Sequence, residues 1–311
     1  MTRSVFIDGA VGTTGLEIAD RLAGRSEFSL ITLPEDRRKD DAERAEALNA
    51  ADFVILCLPD DAAVAAVAMI DNPRTRVIDA SSAHRVADGW TYGFPEVVGR
   101  EAVASAMRVS NPGCYPTGFI ALVAPLVKAG LLPASWPYTV NAVSGYSGGG
   151  KALIARFEDD ADIAFRDYGL GLAHKHVPEM TRLAGLAHAP VFAPAVIPAH
   201  RGMVVEVPLP LAAMSAFGLG AAEPDALLAC LKQAYAGSEV VAVQDGTPDE
   251  LLLRRSVAPS DRLDLHVFGA RDGSQARLVA VLDNLGKGAS GAAVQNLNLM
   301  AGLPETAGLA L

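Results

Sequence analysis

The sequence predicts an α/β protein with two domains, a Rossmann-type doubly wound, mostly parallel sheet and a second α+β domain with a mixed or antiparallel sheet. Three observations lead to this fold class. Strand and helix patterns alternate over the first ~110 residues, a glycine-rich loop follows the first strand, and longer strand patterns with a hairpin occupy the second half. The chain has 311 residues. It therefore exceeds the ~250–300 residues at which a single hydrophobic core stops growing.

The first domain is predicted from repeated strand-helix-strand units, which form right-handed parallel crossovers. Short continuous apolar runs indicate buried strands, and apolar stripes with helical spacing indicate helices. In chain order, the strands SVFIDG, FSLITL, DFVILCLP and TRVIDAS alternate with the helices TTGLEIADRLAG, DDAERAEALNA and DAAVAAVAMI.

The second domain is predicted to begin with the helix TGFIALVAPLVKAGLL. The strand PYTVNAVSG and the glycine-rich YSGGGK follow, and then the longer strands PVFAPAVIP, GMVVEVPLPL and EVVAVQ. LDLHVFGA and QARLVAVLD flank the turn RDGS, which indicates an antiparallel hairpin. EPDALLACLKQAYAG is a helix with proline at its start and glycine at its end.

The tail GASGAAVQNLNLMAGL is predicted to be a small-residue helix that packs back against the first domain. We therefore expect residues 1–114, together with the returning helix 288–311, to bind a dinucleotide. Residues 115–287 are expected to form a catalytic and dimerisation domain.

Composition excludes several classes of partner. A formal net charge of −10 argues against nucleic acid or an anionic membrane surface as the main partner. No apolar run reaches the ~18 residues of a membrane span, and the start of the chain does not resemble a signal peptide. Three widely spaced cysteines fit the reducing cytoplasm better than a disulfide framework.

A glycine-rich loop with GxxGxxG spacing follows the first strand. Its candidate cofactor-binding residues are Gly9, Gly12, Thr13, Thr14 and Gly15. Glycines permit a tight turn, and the N–H groups of the next helix can then bind phosphate. The position after a strand and before a helix favours a dinucleotide site, although a tight turn without a ligand would show the same pattern.

The segment after the second strand bears on which dinucleotide binds. An acidic residue there would hold the ribose of NAD, and a cation would hold the 2′-phosphate of NADP. PEDRRK at 34–39 contains both charges. We expect NADP, bound through Arg37 and Arg38, while a solvated loop remains the alternative.

Cys114 lies in SNPGCYPTG, among prolines and glycines and ahead of an apolar helix. Cys57 and Cys230 lie in apolar strand and helix patterns that indicate core positions. Pro116 and Thr117 look like helix-start residues, so the Cys114 sulfur is expected at the positive end of a helix dipole, which favours the thiolate. This pattern indicates covalent catalysis, the alternative being an ordinary loop cysteine.

A proton donor is expected from HKHVPE at 174–179. In an extended segment His174 and His176 would point the same way, and Pro178 favours an extended residue before it. Their near-neutral titration suits acid-base catalysis, and we favour His176. No nearby cysteine or carboxylate completes a tetrahedral metal site, so no metal is expected.

These blocks together resemble the N-acetyl-γ-glutamyl-phosphate reductase family in its shorter, type 2 form. The matching segments are GAVGTTG at 9–15, DASSAHR at 79–85, YGFPE at 92–96, SNPGCYPTG at 110–118, SGYSGGGK at 144–151, HKHVPE at 174–179, RGM at 201–203 and DNLGKGASGAAVQN at 283–296. Two features depart from the expected phosphate-binding set, namely Asp8 just before the glycine loop and His84 beside Arg85.

The resemblance implies a cytoplasmic oxidoreductase of arginine biosynthesis. It would catalyse the NADP-dependent reduction of N-acetyl-glutamyl 5-phosphate to N-acetyl-glutamate 5-semialdehyde, in which NADPH supplies the hydride and phosphate is released. Cys114 would carry a thioacyl intermediate, and the two histidines would supply the acid and base. Asn284, Gly286, Lys287 and Gly288 would lie against the cofactor.

An anionic substrate requires fixed positive charge and hydrogen-bond donors. The candidates in the matching blocks are Arg85, Asn111, Lys151 and Arg201, with Arg85 preferred. Aspartate-semialdehyde dehydrogenase and aminoadipyl-phosphate reductase are alternatives with the same chemistry, and a non-catalytic NADP-sensing regulator is an alternative of another class. A homodimer or homotetramer is expected, because long strands invite symmetric pairing through a sheet face.

Overall fold

The computed structural model describes residues 2–220, 222–246 and 248–311. The chain divides into two compact units. The first unit contains the residues up to Gly113 together with Ala289–Leu309, and the second contains Cys114–Gly288 with Ala310–Leu311. Within the ranges just given, no helix has both the length and the apolar character needed to cross a membrane.

The first unit is built around a parallel sheet. Its elements before Gly113 are β1 (Arg3–Asp8), α1 (Thr13–Leu22), β2 (Phe28–Ile31), α2 (Asp41–Ala50), β3 (Phe53–Leu56), α3 (Asp60–Ala68), β4 (Arg76–Asp79), β5 (Thr91–Tyr92), α4 (Pro95–Val98), α5 (Arg100–Ser105) and β6 (Arg108–Ser110). The strand order is β2-β1-β3-β4-β6-β5, with every neighbouring pair parallel. The order reverses between β1 and β3, the place where doubly wound sheets bind ligands.

The second unit is built around a seven-stranded mixed sheet. Its elements are α6 (Cys114–Lys128), β7 (Thr139–Gly145), a 3₁₀ turn (Tyr146–Gly149), α7 (Gly150–Asp159), β8 (Arg166–Asp167), α8 (Val177–Leu183), β9 (Val191–Ile197), β10 (Met203–Leu209), α9 (Leu211–Ala216), α10 (Pro224–Ala234), β11 (Val241–Val243), β12 (Leu263–Gly269) and β13 (Ala276–Leu282). The strand order is β11-β12-β13-β10-β7-β9-β8. The predicted fold class, a Rossmann-type sheet plus a mixed second sheet, is confirmed.

The last helix, α11 (Gly291–Met300), follows a π-helical turn at Gly286–Ser290. Its buried side chains Ala293, Val294 and Leu297 join Val5 and Ile18 in one hydrophobic core of the first unit. A second core, on α2 and α3, lies against Val54 and Leu56 of β3. The parallel sheet is therefore covered by helices on both faces, which explains why its strands are continuous apolar runs.

Helix α6 forms the centre of the second unit. It packs on β10, β12 and β13 and on the helices α8 and α10. Gly118 permits close packing, since a Cβ there would lie 2.9 Å from the Val205 Cγ2 atom. Nearly all its residues from Tyr115 to Leu126 are buried, so the helix is fixed from its first turn onward.

The predicted hairpin is present as β12 and β13, paired antiparallel from Leu263↔Leu282 to Gly269↔Ala276. The expected long strand EVVAVQ is only the three-residue β11, which pairs parallel to β12 at the sheet edge. The sequence analysis did not predict the helices α4, α5, α7, α8 and α9 or the short strands β5, β6 and β8.

Candidate active site

The loop after β1 contains two glycines, Gly9 and Gly15, that leave no room for a Cβ atom. Gly9 has φ +88°, and a Cβ there would overlap the carbonyl oxygen of Cys57. A Cβ on Gly15 would lie 2.5 Å from the Gly9 carbonyl oxygen. The Gly12 N–H donates to that same oxygen at 3.0 Å. The loop is therefore a tight cradle closed on itself and on the end of β3.

Helix α1 begins at Thr13 directly after this cradle. Its N-cap residue Gly12 is extended and supplies no side-chain cap. The first N–H groups of a helix have no intrahelical partner. At α1 these are the N–H groups of Thr13, Thr14 and Gly15, and no N-cap side chain accepts from them. A helix start of this kind can bind a phosphate.

A cavity of about 420 Å³ lies beside the cradle. Its lining includes Asp8, Gly9, Ala10, Val11, Leu30, Thr32, Leu33, Arg38, Lys39, Arg44 and Leu58. Three cations and one carboxylate thus line it, although the whole chain carries a net charge of −10. The glycine cradle, the cavity size and the basic lining together fit a dinucleotide.

The charged residues around the cavity differ in their partners. Arg38 lines the cavity and donates to Glu35 at 2.6 Å, while Arg37 is bound to Glu43 at 2.8 Å and is not among the lining residues. Arg44 donates to Asp8 at 2.8 Å, and both side chains are largely buried, with 13% and 6% exposed. The hydrogen bond with Asp8 raises the pKa of Arg44. Sequence reasoning missed Arg44.

Cys114 is the first residue of α6 and is partly exposed. The helix therefore starts three residues before the predicted Thr117. Pro116 fits because it lies in the first turn, where its missing N–H would have had no partner. Gly288 leaves room for the cysteine, since a Cβ there would lie 3.0 Å from the Cys114 Cβ.

The two histidines lie together, with ring centroids 4.7 Å apart. The expectation of an extended segment is wrong. His176 has helical dihedrals and is the N-cap of α8, and its N–H donates to the His174 Nδ1 at 3.1 Å. Pro178 lies in the first turn of that helix, a position that tolerates proline. With Nδ1 accepting, the neutral His174 ring carries its proton on Nε2.

Two tyrosines join the histidines, and sequence reasoning assigned no role to either. Tyr115 contacts the His174 and His176 rings at centroid distances of 6.2 and 5.8 Å, and Tyr168 contacts His174 at 5.5 Å. Burial raises the pKa of Tyr115, and it raises that of Tyr168 to about 12. Both phenols are therefore protonated at neutral pH. Because Tyr115 follows Cys114 directly, this cluster connects the cysteine to the histidine pair.

Arg85 and Asn111 lie in one hydrogen-bonded group of the first unit. The Arg85 Nε atom donates to the Asn111 carbonyl at 3.1 Å. Asn111 is 1% exposed, and its side chain donates to the Ala289 carbonyl at 2.9 Å and accepts from Asn296 at 3.1 Å. Asn296 was not among the predicted site residues, although the segment 283–296 that contains it was one of the segments that match the family.

His84 and Asp79 support the segment that carries Arg85. The His84 Nδ1 atom lies 2.6 Å from Asp79, and its ring stacks on Trp90 at 4.2 Å. The departure noted in the sequence at His84 is therefore part of a buried structural network.

The block 283–288 supports the second unit around residues 144–147 and 201–203. Asn284 accepts from the Gly202 N–H at 2.9 Å and donates to Ser147 at 2.9 Å. Arg201 pairs with Asp283 at 2.8 Å. Lys287 is fully buried, and a Cβ on Gly286 would overlap the Ser260 carbonyl.

Lys151 lies exposed at the start of α7. In the described ranges, no group of three or more His, Cys, Asp or Glu side chains could hold a metal ion. The structure thus groups Cys114, His174, His176 and Gly288 in the second unit. In the first unit it groups the glycine loop with Arg38, and Arg85 with Asn111.

Two family models match the chain. Residues 4–106 match the semialdehyde dehydrogenase NAD-binding domain, and residues 114–284 match the semialdehyde dehydrogenase dimerisation domain. The first unit therefore contains an NAD(P)-binding domain of this family.

Curated relatives match along nearly the whole chain. A protein of Pseudomonas putida named N-acetyl-gamma-glutamyl-phosphate reductase 2 is 51% identical over 316 residues, covering 99% of each chain. N-acetyl-gamma-glutamyl-phosphate reductase of Burkholderia ambifaria is 52% identical over 307 residues, covering 96% of each. That of Rhizobium meliloti is 49% identical over 311 residues, covering 96% of this chain and 99% of the relative.

Solved structures show the same fold at low sequence identity. Aspartate semialdehyde dehydrogenase II of Vibrio cholerae, in complex with ASA, superposes with a TM-score of 0.72 at 16% identity, covering 96% of this chain and 98% of that one. This likeness concerns the fold alone. The identity over the whole chain to the curated relatives confirms the family indicated by the motifs, and the protein is an oxidoreductase that belongs to the N-acetyl-gamma-glutamyl-phosphate reductase family.

Proposed function

We propose that the protein catalyses the NADP-dependent reductive dephosphorylation of N-acetyl-glutamyl 5-phosphate to N-acetyl-glutamate 5-semialdehyde, a step of arginine biosynthesis. The position of Cys114 at the first residue of a buried helix, next to the Tyr115–His174–His176 cluster, carries this proposal. The names of relatives about 50% identical along the chain supply the substrate.

Cys114 is proposed as the nucleophile. The α6 dipole favours its thiolate, and the thiolate attacks the acyl carbon of the substrate. Phosphate leaves with the electron pair of the broken carbon–oxygen bond, and a thioester remains on the sulfur. Because Tyr115 and the rest of the first turn are buried, the helix holds the sulfur in one place.

NADPH, when bound, supplies the hydride that reduces the thioester. The residues proposed to hold it are Gly9, Gly12, Thr13, Thr14 and Gly15 at its phosphates, with Asn284, Gly286, Lys287 and Gly288 as further candidates. We assign the 2′-phosphate to Arg38 rather than Arg37, because Arg38 lines the cavity. Replacing Arg38 with Met is expected to weaken NADP binding about tenfold without weakening NAD binding, as measured by fluorescence titration.

One of the two histidines is proposed to protonate the oxygen of the tetrahedral thiohemiacetal and to take the proton back as the thiolate leaves. His176 is the first candidate. It is largely buried, and its backbone is fixed by the hydrogen bond to His174. The protonated phenols of Tyr115 and Tyr168 pack against the pair and limit its motion.

Arg85 is the first candidate for binding the anionic groups of the substrate, with Lys151 and Arg201 as further candidates. The Asn111 side chain is bonded to Ala289 and Asn296, so we assign it to positioning. Replacing Arg85 with Met is expected to raise KM for the semialdehyde about tenfold, measured by steady-state kinetics.

The protein is proposed to form a homodimer or homotetramer in the cytoplasm. The cysteines of the described ranges form no disulfide. One face of the second sheet leaves Val204, His266 and Phe268 half-buried, which suits pairing with a second copy. A Phe268→Glu variant is expected to reduce the mass measured by sedimentation equilibrium, whereas an unchanged mass would refute pairing through this face.

The decisive assay follows NADPH formation from N-acetyl-glutamate 5-semialdehyde, phosphate and NADP. Cys114→Ser is expected to lose turnover while still binding NADP, because a serine hydroxyl is a far poorer nucleophile. Cys230→Ser, on α10, is the control that retains turnover. Retention of the wild-type rate by Cys114→Ser, or turnover of aspartate semialdehyde alone, would overturn the proposal.

A further inference from the structure

A buried ion pair stands beside the phosphate cradle, and the proposed mechanism gives it no role. Asp8 is the last residue of β1 and directly precedes Gly9. Its carboxylate accepts from the Nη2 and Nε atoms of Arg44 on α2, at 2.8 and 3.3 Å. Arg44 also donates to Asp41 at 3.0 Å. The pair thus fixes α2 against the end of β1.

Both members of the pair line the same cavity as the glycine loop. A carboxylate at this place disfavours a ligand with two or three phosphate groups, because charges separated by several ångströms interact strongly where water is partly excluded. Arg44 cancels that charge. The remaining charged residues that line the cavity are the cations Arg38 and Lys39, so the net charge around a bound ligand is positive.

We propose that Arg44 is a positioning residue for the dinucleotide, which acts through Asp8 by cancelling its charge beside the phosphate-binding loop. Arg44 therefore supports NADP and NAD equally, while Arg38 supports the 2′-phosphate. This inference rests on the proposed dinucleotide site and assigns different roles to Arg44 and Arg38, the two arginines that line the cavity.

The test compares single and double variants of the full-length protein by titration with NADP and with NAD at about pH 8, where carboxylates are ionised. Arg44→Met is expected to weaken both dinucleotides by a similar factor, about tenfold. Asp8→Asn is expected to tighten both several-fold, because the carboxylate charge beside the loop is removed while Arg44 stays in place through its bond to Asp41. The double variant Asp8→Asn/Arg44→Met is expected to bind both about as well as the wild type.

Arg100→Met is the matched control. Arg100 pairs with Glu305 at 2.8 Å in the same unit, but it does not line the cavity. Its replacement removes one positive charge and breaks one ion pair, and we expect unchanged dinucleotide affinity. Thermal melting of every variant without ligand identifies any loss of folding, and Asp8→Asn tests the inference even where Arg44→Met does not fold.

Three results would overturn the inference. If Arg44→Met lost affinity for NADP but not for NAD, Arg44 would bind the 2′-phosphate itself. A double variant no better than Arg44→Met would mean that Arg44 contacts the ligand directly. Unchanged or weaker binding by Asp8→Asn would mean that the carboxylate does not oppose the ligand. Absence of any dinucleotide binding by the wild type would instead refute the proposed function.

Discussion

Helices α1 and α6 both begin at residues proposed to belong to the active site, but their N-terminal ends differ in structure. α1 starts after a glycine cradle, has no side-chain cap and is only partly buried. α6 starts with Cys114 and is buried along almost its whole length. The positive end of a helix dipole can bind an anionic ligand through backbone N–H groups, or it can stabilise the thiolate of a side chain.

The contrast shows which property each task needs. Binding a phosphate through the backbone requires space, and glycines provide that space at the proposed phosphate site before α1. Stabilising a nucleophile requires a fixed sulfur, and packing fixes the first turn of α6, where the proposed nucleophile Cys114 lies. A third helix, α2, is proposed neither to bind a phosphate nor to stabilise a thiolate. Its first N–H groups, those of Ala42 and Glu43, already donate to the Asp40 side chain.

The largest effect is expected from the two histidines that are proposed to act together with Cys114. His176→Gln is expected to lower kcat by about 10²–10⁴-fold, since a positioned acid-base group contributes that much. His174→Gln is expected to have a smaller effect, because its Nδ1 atom accepts from the His176 backbone. Steady-state kinetics on both variants measure this difference, and wild-type kcat values in both would remove the histidines from the mechanism.

The glycines of α1 provide the next test, because two of them differ in their surroundings. A Cβ on Gly15 would lie 2.5 Å from the Gly9 carbonyl oxygen, whereas a Cβ on Gly12 would make ordinary contacts of 3.4 and 4.0 Å. Gly15→Ala is therefore expected to lower both stability, by about 3 kcal/mol, and dinucleotide affinity.

Gly12→Ala is the matched variant. It is expected to fold with nearly wild-type stability but to bind NADP weakly, because its methyl group occupies the approach of the phosphates. Urea unfolding and NADP titration separate the two effects. Tight NADP binding by Gly12→Ala would show that the cofactor does not approach this turn.

The alkylation of cysteine tests the role of the α6 dipole. Only the thiolate reacts with iodoacetamide, so Cys114 is expected to react well below pH ~8.5, the value of a free thiol. Cys57 is an internal reference, since burial raises its pKa to about 12 and keeps it a neutral thiol at lower pH. Mass spectrometry across the pH range follows each cysteine, and a Cys114 profile like that of free cysteine would contradict dipole activation.

The smallest effect is expected at α2, whose cap is a side chain. Asp40→Ala removes two hydrogen bonds from the first turn and is expected to cost about 1 kcal/mol of unfolding free energy. NADP affinity is expected to stay unchanged, because Asp40 does not line the cavity. A marked loss of affinity would mean that the helix starts of this unit are not independent.

Local patterns were sufficient for the first four strands of the parallel sheet, the glycine loop and the hairpin β12–β13, because short-range spacing determines each of them. The two- and three-residue strands β5 and β6 are too short to show such a pattern. The prediction of an extended segment at the two histidines was wrong because Pro178 is compatible with two conformations. Proline permits either an extended residue before it or the first turn of a helix. The choice depends on packing of the histidine rings against Tyr115 and Phe192, which are distant in sequence.

The Asp8–Arg44 pair could not be predicted, because its members lie 36 residues apart on a strand and a helix. The sequence showed Asp8 only as an unfavourable charge beside a phosphate site. Its partner became evident only with the packing of α2 against β1. Ion pairs between separate elements leave no periodic signal, whereas glycine spacing and apolar stripes do.

The most direct test of the central claim is a single-turnover experiment without phosphate. Enzyme, N-acetyl-glutamate 5-semialdehyde and NADP are predicted to give a burst of NADPH equal to the number of subunits, and then to stall until phosphate is added. Mass spectrometry is predicted to find the N-acetyl-glutamyl group on Cys114 during the stall. Full turnover without phosphate and with no adduct on Cys114 would contradict the thioacyl mechanism.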